Sequence, residues 1–143
     1  GEDAVVIGGG NSALQIVEHL HTVAKTIHLV STSALTADPV VIERVSKFKN
    51  LKKYEGYGVV EFTGGKALGG VTIRKMASRE VVELPAKGVF IAIGLQPNSS
   101  VVAHLLERNT RGEIIINPDC STSRPGIFAA GDVTNAFGKR III

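Results

Sequence analysis

The sequence predicts an α/β fold, a three-layer domain carrying an antiparallel β-meander and followed by a β-rich segment. Three observations predict it. Near the start, the apolar run Ala4 to Ile7 enters Gly8, Gly9 and Gly10, and apolar residues then recur at Ala13, Ile16, Val17, Leu20 and Val23, the period of one helix face. In the middle, short β-prone runs are punctuated by Gly64-Gly65 and Gly69-Gly70. Later, the fully apolar run Val89 to Ile93 stops at Gly94, and Ile127 to Ala130 stops at Gly131-Asp132. Strand, helix and strand in alternation are the pattern of a parallel sheet.

The first element is a short buried strand that ends in a glycine turn. Gly8-x-Gly10-x-x-Ala13 is the G-x-G-x-x-A fingerprint of dinucleotide-binding, Rossmann-like domains. Gly8 allows the tight turn, Gly10 lets backbone approach a pyrophosphate, and Ala13 is small enough for helix to pack on strand. Gly9, Asn11 and Ser12 complete the loop, and the helix's first turn offers free N–H groups and a positive dipole end to phosphate. The competing reading is a tight glycine turn that only packs a helix on a strand.

A second strand, Thr26 to Val30, completes a βαβ unit. The end of this strand normally carries the reader of the adenosine ribose: an acid for NAD, a nearby arginine for the 2′-phosphate of NADP. Here Val30 is followed by Ser31, Thr32 and Ser33. Hydroxyls can donate to a phosphate or bond a ribose, so NADH and NADPH both stay open, beside the reading of an ordinary polar loop. Asp38-Pro39 reads as an N-cap with proline at the first helical position, and Val40, Val41, Val45 and Phe48 mark a helix to about Asn50. Lys52 to Glu55, Val59 to Thr63, Val71 to Lys75 and Val81 to Leu84 read as four strands of one antiparallel meander. Val89 to Ile93 reads as a fully apolar strand ending at Gly94, and ligands of open α/β sheets bind beyond the carboxyl ends of such strands. Val101 to Leu106 reads as a short helix, and Glu113 to Ile116 and Ile127 to Ala130 as strands. Asp132 then presents a carboxylate that could accept from a ligand's hydroxyls.

Sixteen Lys and Arg against thirteen Asp and Glu give +3, too mild a charge for a nucleic-acid protein. No apolar run approaches membrane-spanning length, no signal peptide is visible, and the expectation is a cytoplasmic protein without a membrane partner. Cys120 is the only cysteine, so the chain holds no internal disulfide and no C-x-x-C pair; it reads as structural or incidental. His19, His21, His28 and His104 lack metal-like spacing. Gly1 precedes the first strand closely and Ile143 ends the chain as another element begins, so both ends read as cuts in a longer protein.

Together the three stretches resemble the flavoprotein pyridine nucleotide-disulfide oxidoreductases of the thioredoxin reductase type. Gly8-Gly-Gly-Asn-Ser-Ala13 looks like their NAD(P) fingerprint, Ala92-Ile-Gly-Leu-Gln-Pro-Asn98 like their strand-to-linker motif, and Pro125-Gly-Ile-Phe-Ala-Ala-Gly-Asp132 like their second flavin motif. Glu107-Arg-Asn-Thr-Arg-Gly-Glu-Ile-Ile-Ile-Asn117 and Lys139-Arg-Ile-Ile-Ile143 resemble most the flavoprotein component of alkyl hydroperoxide reductase. The likeness covers almost the whole chain and is weakest between Leu51 and Pro85.

The resemblance implies residues 1–94 as an NAD(P)-binding Rossmann-like domain and 95–143 as the C-terminal segment of an FAD-binding domain. It implies that reduced nicotinamide nucleotide passes a hydride to FAD, which reduces a cysteine pair serving a thioredoxin-like or peroxiredoxin-like protein. Carried over by position, Gly8, Gly10, Asn11, Ser12 and Ala13 match the NAD(P) loop, with Gly9 inside it. Gly94 matches a glycine beside the nucleotide, Gly131 and Asp132 the pair holding FAD, and Arg140 and Ile141 the segment near the flavin ring. The family's basic ribose readers fall at Ser31 and Thr32, and the acidic one of the hydroperoxide branch at Val30. The first flavin fingerprint and the cysteine pair are not in this sequence, so the chain alone is expected to be inactive. Its late strands are expected to lack partners and to promote a homodimer. Two other functions compete. A nucleotide sensor without chemistry would not need Gly131-Asp132. A simple dehydrogenase would need a proton-handling set such as Tyr-Lys, and Tyr54 and Tyr57 lie in the meander.

Overall fold

The computed structural model describes residues 1–137 and divides into two compact units, Gly1–Ile93 and Gly94–Ile143. The first unit starts with β1 (Ala4–Ile7), α1 (Asn11–Leu20), β2 (Ile27–Ser31), α2 (Pro39–Ser46) and β3 (Leu51–Glu55). It continues with β4 (Tyr57–Gly64), β5 (Leu68–Lys75), β6 (Val81–Pro85) and β7 (Gly88–Ile91). Four strands form a parallel sheet in the order β3-β2-β1-β7, and β4-β5-β6 form a separate antiparallel sheet.

Alternation along the strands builds the three layers. Val6, Ile27 and Leu29 face α1 and α2, packing with Ala13, Leu14, Val17 and Val45. Val5 and Val30 face the other way and pack against Val71, Ile73 and Leu84 of the antiparallel sheet. At about 25 cal/mol per Å² of apolar surface, these two cores hold the layers together.

One strand departs from the expectation. Leu51–Glu55 is not in the meander: it pairs in parallel with β2, placing Ser31 opposite Glu55. With α2 as crossover, β2-α2-β3 is a second βαβ unit, and the meander has three strands. Its exposed, charged face is that of a sheet edge, which is why it reads like a surface strand. The helices are shorter than the apolar period suggests. α1 ends at Leu20, leaving Val23 63% exposed. α2 ends at Ser46, and Asp38 makes no side-chain cap bond, although Pro39 does open the helix.

Among the described residues of the second unit, Ser100–Val102 forms one turn of 3-10 helix where the sequence predicts an α-helix over Val101 to Leu106. The expected strands Glu113 to Ile116 and Ile127 to Ala130 reduce to isolated bridges: Arg108 with Ile114, Ile114 with Thr134, Ile116 with Thr122, and Ser121 with Phe128. These segments therefore find partners within their own unit. Side-chain bonds to backbone from Asn109, Thr122 and Thr134 take the place of a ladder. Cys120 sits in one of these turns at φ +64, its N–H donating to Asn117 O and its carbonyl accepting from Ala129 N.

Candidate functional site

The glycine turn is held by backbone alone. Gly8 N donates to Val30 O at 2.8 Å and Ala92 N to Ile7 O at 2.7 Å, so the ends of β2 and β7 grip the end of β1. Gly8 has φ +140, and a Cβ there would lie 2.3 Å from Ala92 O and 3.2 Å from the Ala13 Cβ. Its glycine is demanded by the fold. Gly9 O accepts from Thr36 N at 2.8 Å and Ala37 N at 3.1 Å, which fastens the loop after β2 to the turn.

Gly10 is different. Its φ is −91°, open to any residue, and a Cβ there would meet nothing nearer than Thr36 Oγ1 at 3.9 Å. Packing does not require glycine here, yet space is kept clear directly before α1. The first bond of that helix runs from Leu14 N to Gly10 O, so the N–H groups of Asn11, Ser12 and Ala13 precede it without intrahelical acceptors. No side chain caps Gly10, and the first turn carries no acid. This helix end is therefore available to an anion.

The expected site residues fall into two groups. Gly8, Gly9, Gly10, Asn11, Ser12 and Ala13 share the β1–α1 turn with the end of β2. Ala13 is fully buried and Ser12 is exposed. Val30 is a core residue whose carbonyl holds the turn; its side chain packs with Val5 and Val71. Ser31 is buried, and its hydroxyl donates to Ser33 O at 2.7 Å, whereas Thr32 is exposed. Gly94, Gly131 and Asp132 belong to the second unit. Gly94 has φ +105 and Gly131 φ +79, and Gly131 O accepts from both Thr134 N and Thr134 Oγ1. Arg140 and Ile141 lie outside the described residues.

The structure brings Asp38, Ala92 and Glu55 to the site, none of them expected there from the sequence. Asn11 Oδ1 accepts from Asp38 N at 2.8 Å while its amide donates to Asp38 Oδ2 at 3.0 Å, pinning the start of α2 to the start of α1. Asp38 thus holds the expected N-cap position of α2, its carbonyl accepting from Val41 N and Ile42 N, while its side chain works across the loop instead of capping. Ala92 closes the turn from β7. Glu55, at the end of β3, accepts from Leu35 N at 3.2 Å. A parallel pairing of β3 with β2 would have exposed this last contact; reading Lys52 to Glu55 into the meander concealed it.

The four histidines raised by the sequence have separate surroundings. His21 stacks on Phe48 with ring centroids 3.8 Å apart and bonds Asn50 Oδ1. His19 Nδ1 lies 2.7 Å from Gln15 O, and His104 is exposed. His28 is buried in β2; burial, and secondarily the Lys52 charge, lower its pKa, opposed by Asp3. Among the described residues no group of three His, Cys, Asp or Glu could hold a metal ion, and no helix is long and apolar enough to cross a membrane.

Comparison with known proteins extends the geometry. The family model of the pyridine nucleotide-disulphide oxidoreductases matches residues 1–142. The alkyl hydroperoxide reductase F protein of Staphylococcus epidermidis is 38% identical over 143 residues, 99% of this chain and 28% of the relative. A Bacillus subtilis protein named NADH dehydrogenase is 35% identical over 144 residues, 100% of this chain and 28% of its own length. The crystal structure of Lactococcus lactis thioredoxin reductase superposes with a TM-score of 0.90 at 28% identity, covering 96% of this chain and 46% of that one. The chain thus spans little more than a quarter of the length of these curated relatives.

Proposed function

This chain belongs to the pyridine nucleotide-disulphide oxidoreductase family, and from that premise we propose that its first 94 residues bind NADH or NADPH within an FAD-dependent disulfide oxidoreductase. Residues 95–143 are then the C-terminal segment of the FAD-binding domain. In the parent enzyme the nicotinamide nucleotide supplies a hydride, FAD accepts it, and a cysteine pair receives the electrons.

The observation that carries the reading is Gly10. Packing explains Gly8 and Ala13, whose neighbours leave no room; Gly10, at an ordinary φ beside open space, suits the N-cap position and also leaves the helix mouth clear. A pyrophosphate at the mouth of α1 explains it, because a Cβ would stand between phosphate and backbone. The N–H groups of Asn11, Ser12 and Ala13 would receive the phosphate oxygens, and the helix dipole favours their charge. Asn11 does double duty, since its side chain fixes the loop while its N–H stays free for the ligand.

For the flavin, Gly131 and Asp132 are the residues of this chain that fit. Gly131 turns the backbone at φ +79, and Asp132 follows with an acceptor for ribityl hydroxyls. Arg140 and Ile141 match by sequence position the family segment assigned to the flavin ring. With one cysteine and one glycine fingerprint, this chain alone should not turn over. The proposal for the parent is a cytoplasmic homodimer acting on a thioredoxin-like or peroxiredoxin-like protein, with no nucleic acid or membrane partner.

Titration calorimetry of this chain with NADH, NADPH and FAD tests the reading. A nicotinamide nucleotide should bind with one site per chain, and Gly10→Ala should weaken it by about tenfold or more while leaving the fold intact. Equal binding by Gly10→Ala would return the turn to a packing role. Disulfide turnover by this chain with added NADPH and FAD would contradict the division of labour.

A further inference from the structure

We propose that Glu55, delivered from β3, reads the adenosine ribose and selects NADH over NADPH. This rests on the dinucleotide site proposed above and names the residue that sets its preference. The position that usually carries the ribose reader, the end of the second strand, holds no charge here, because Val30 is in the core and Ser31 is buried. A carboxylate reaches the same corner from the neighbouring strand. Ser31 and Glu55 are register partners in parallel strands, about 4.8 Å apart. The Ser31 Cβ lies 3.3 Å from where a Gly9 Cβ would stand, and the Leu35 Cα lies 3.6 Å from that point. Glu55 Oε2 accepts from Leu35 N at 3.2 Å. Glu55, Ser31, Leu35 and the glycine turn therefore form one continuous corner.

The chemistry of that corner favours a ribose over a phosphate. A carboxylate only accepts, and its lone pairs outnumber the single donor that Leu35 provides. Exposed Glu55 keeps acceptor capacity for the 2′- and 3′-hydroxyls. A 2′-phosphate placed there would instead face a like charge. Two of the three hydroxyls after β2 are committed: Ser31 donates to Ser33 O and Ser33 to Ala34 O, while Thr32 is exposed. Two cations of α2 are already paired with carboxylates, Arg44 with Glu18 and Lys47 with Glu43.

The test is the ratio of NADH to NADPH dissociation constants, measured by calorimetry on this chain and on Glu55→Gln. Glutamine keeps an acceptor for Leu35 N, so the loop is retained. The wild type should favour NADH by about tenfold or more, and Glu55→Gln should shrink that ratio by about fivefold or more, chiefly by tightening NADPH. A second measurement needs no variant: raising salt from about 0.05 M to about 0.5 M should narrow the wild-type ratio, because the repulsion is screened. A ratio that Glu55→Gln leaves unchanged overturns the inference while leaving the nucleotide site standing. A failure of the wild type to bind either nucleotide overturns both.

Discussion

Gly8→Ala should remove much of the first unit's stability, and the size of the effect follows from the turn. The new Cβ would meet Ala92 O at 2.3 Å and Ala92 C at 2.9 Å. Both are backbone atoms in the residue whose N–H bonds Ile7 O, so relief means prising β7 from β1. The backbone at φ +140 adds strain of about 1–3 kcal/mol for a residue with a Cβ, and forced overpacking adds about 1–3 kcal/mol. The sum, about 4 kcal/mol, is a large share of the roughly 5–15 kcal/mol that holds a domain folded. Gly10→Ala is the matched control. With φ −91 and 3.9 Å of clearance, its loss of N-cap preference is offset by a stiffer unfolded chain, leaving a change within about 1 kcal/mol. Urea unfolding followed by tyrosine fluorescence suits the comparison, since both tyrosines, Tyr54 and Tyr57, are in the first unit and no tryptophan masks them. Gly8→Ala within about 0.5 kcal/mol of wild type, where surface changes usually fall, would refute the packing argument.

Other expectations can be checked alongside it. His28 has a folded-state pKa below the usual 6.5, from burial first and Lys52 second. The unfolded chain then takes up the proton first, so stability is full above pH 6.5 and is lost as pH falls toward the folded value. His28→Leu should show a flatter stability profile than wild type between about pH 7 and about pH 5 in parallel denaturation curves; equal slopes would contradict the assignment. Asn50 donates to His21 O and Ala24 O and meets His21 Nδ1; Asn50→Ala should cost about 2–3 kcal/mol in urea unfolding. In the second unit, buried Ser99 donates to Gly112 O and accepts from Arg108 Nη1. Ser99→Ala should speed hydrogen exchange at Gly112 N, with a local cost of about 1–2 kcal/mol.

The first βαβ unit was legible because each of its signals has one physical meaning. Gly8 needs a positive φ, Ala13 must be small, and the apolar period of α1 names the face that packs on Val6 and Leu29. The fourth parallel strand was not legible as such. Lys52, Lys53 and Glu55 are exposed on the sheet's edge, and composition says nothing about whether an edge strand runs parallel or antiparallel. Parallel pairing with β2 is what brings Glu55 beside Ser31 and Leu35. Val23 continued the helical period by coincidence, beyond the last turn of α1. The late strands were illegible for another reason: their residues meet as single bridges between turns, fixed by side-chain bonds such as Glu113 N to Asn109 Oδ1, which leave no periodic trace.

The central claim is that the open mouth of α1 receives the phosphates of a nicotinamide nucleotide. Amide chemical shifts followed by NMR during an NADH titration test it most directly. The account predicts saturable shifts concentrated at Gly10, Asn11, Ser12 and Ala13, with Leu35 and Glu55 following, and a midpoint moved to about tenfold or more higher NADH in Gly10→Ala. Saturable binding whose shifts leave those four amides unmoved would contradict it.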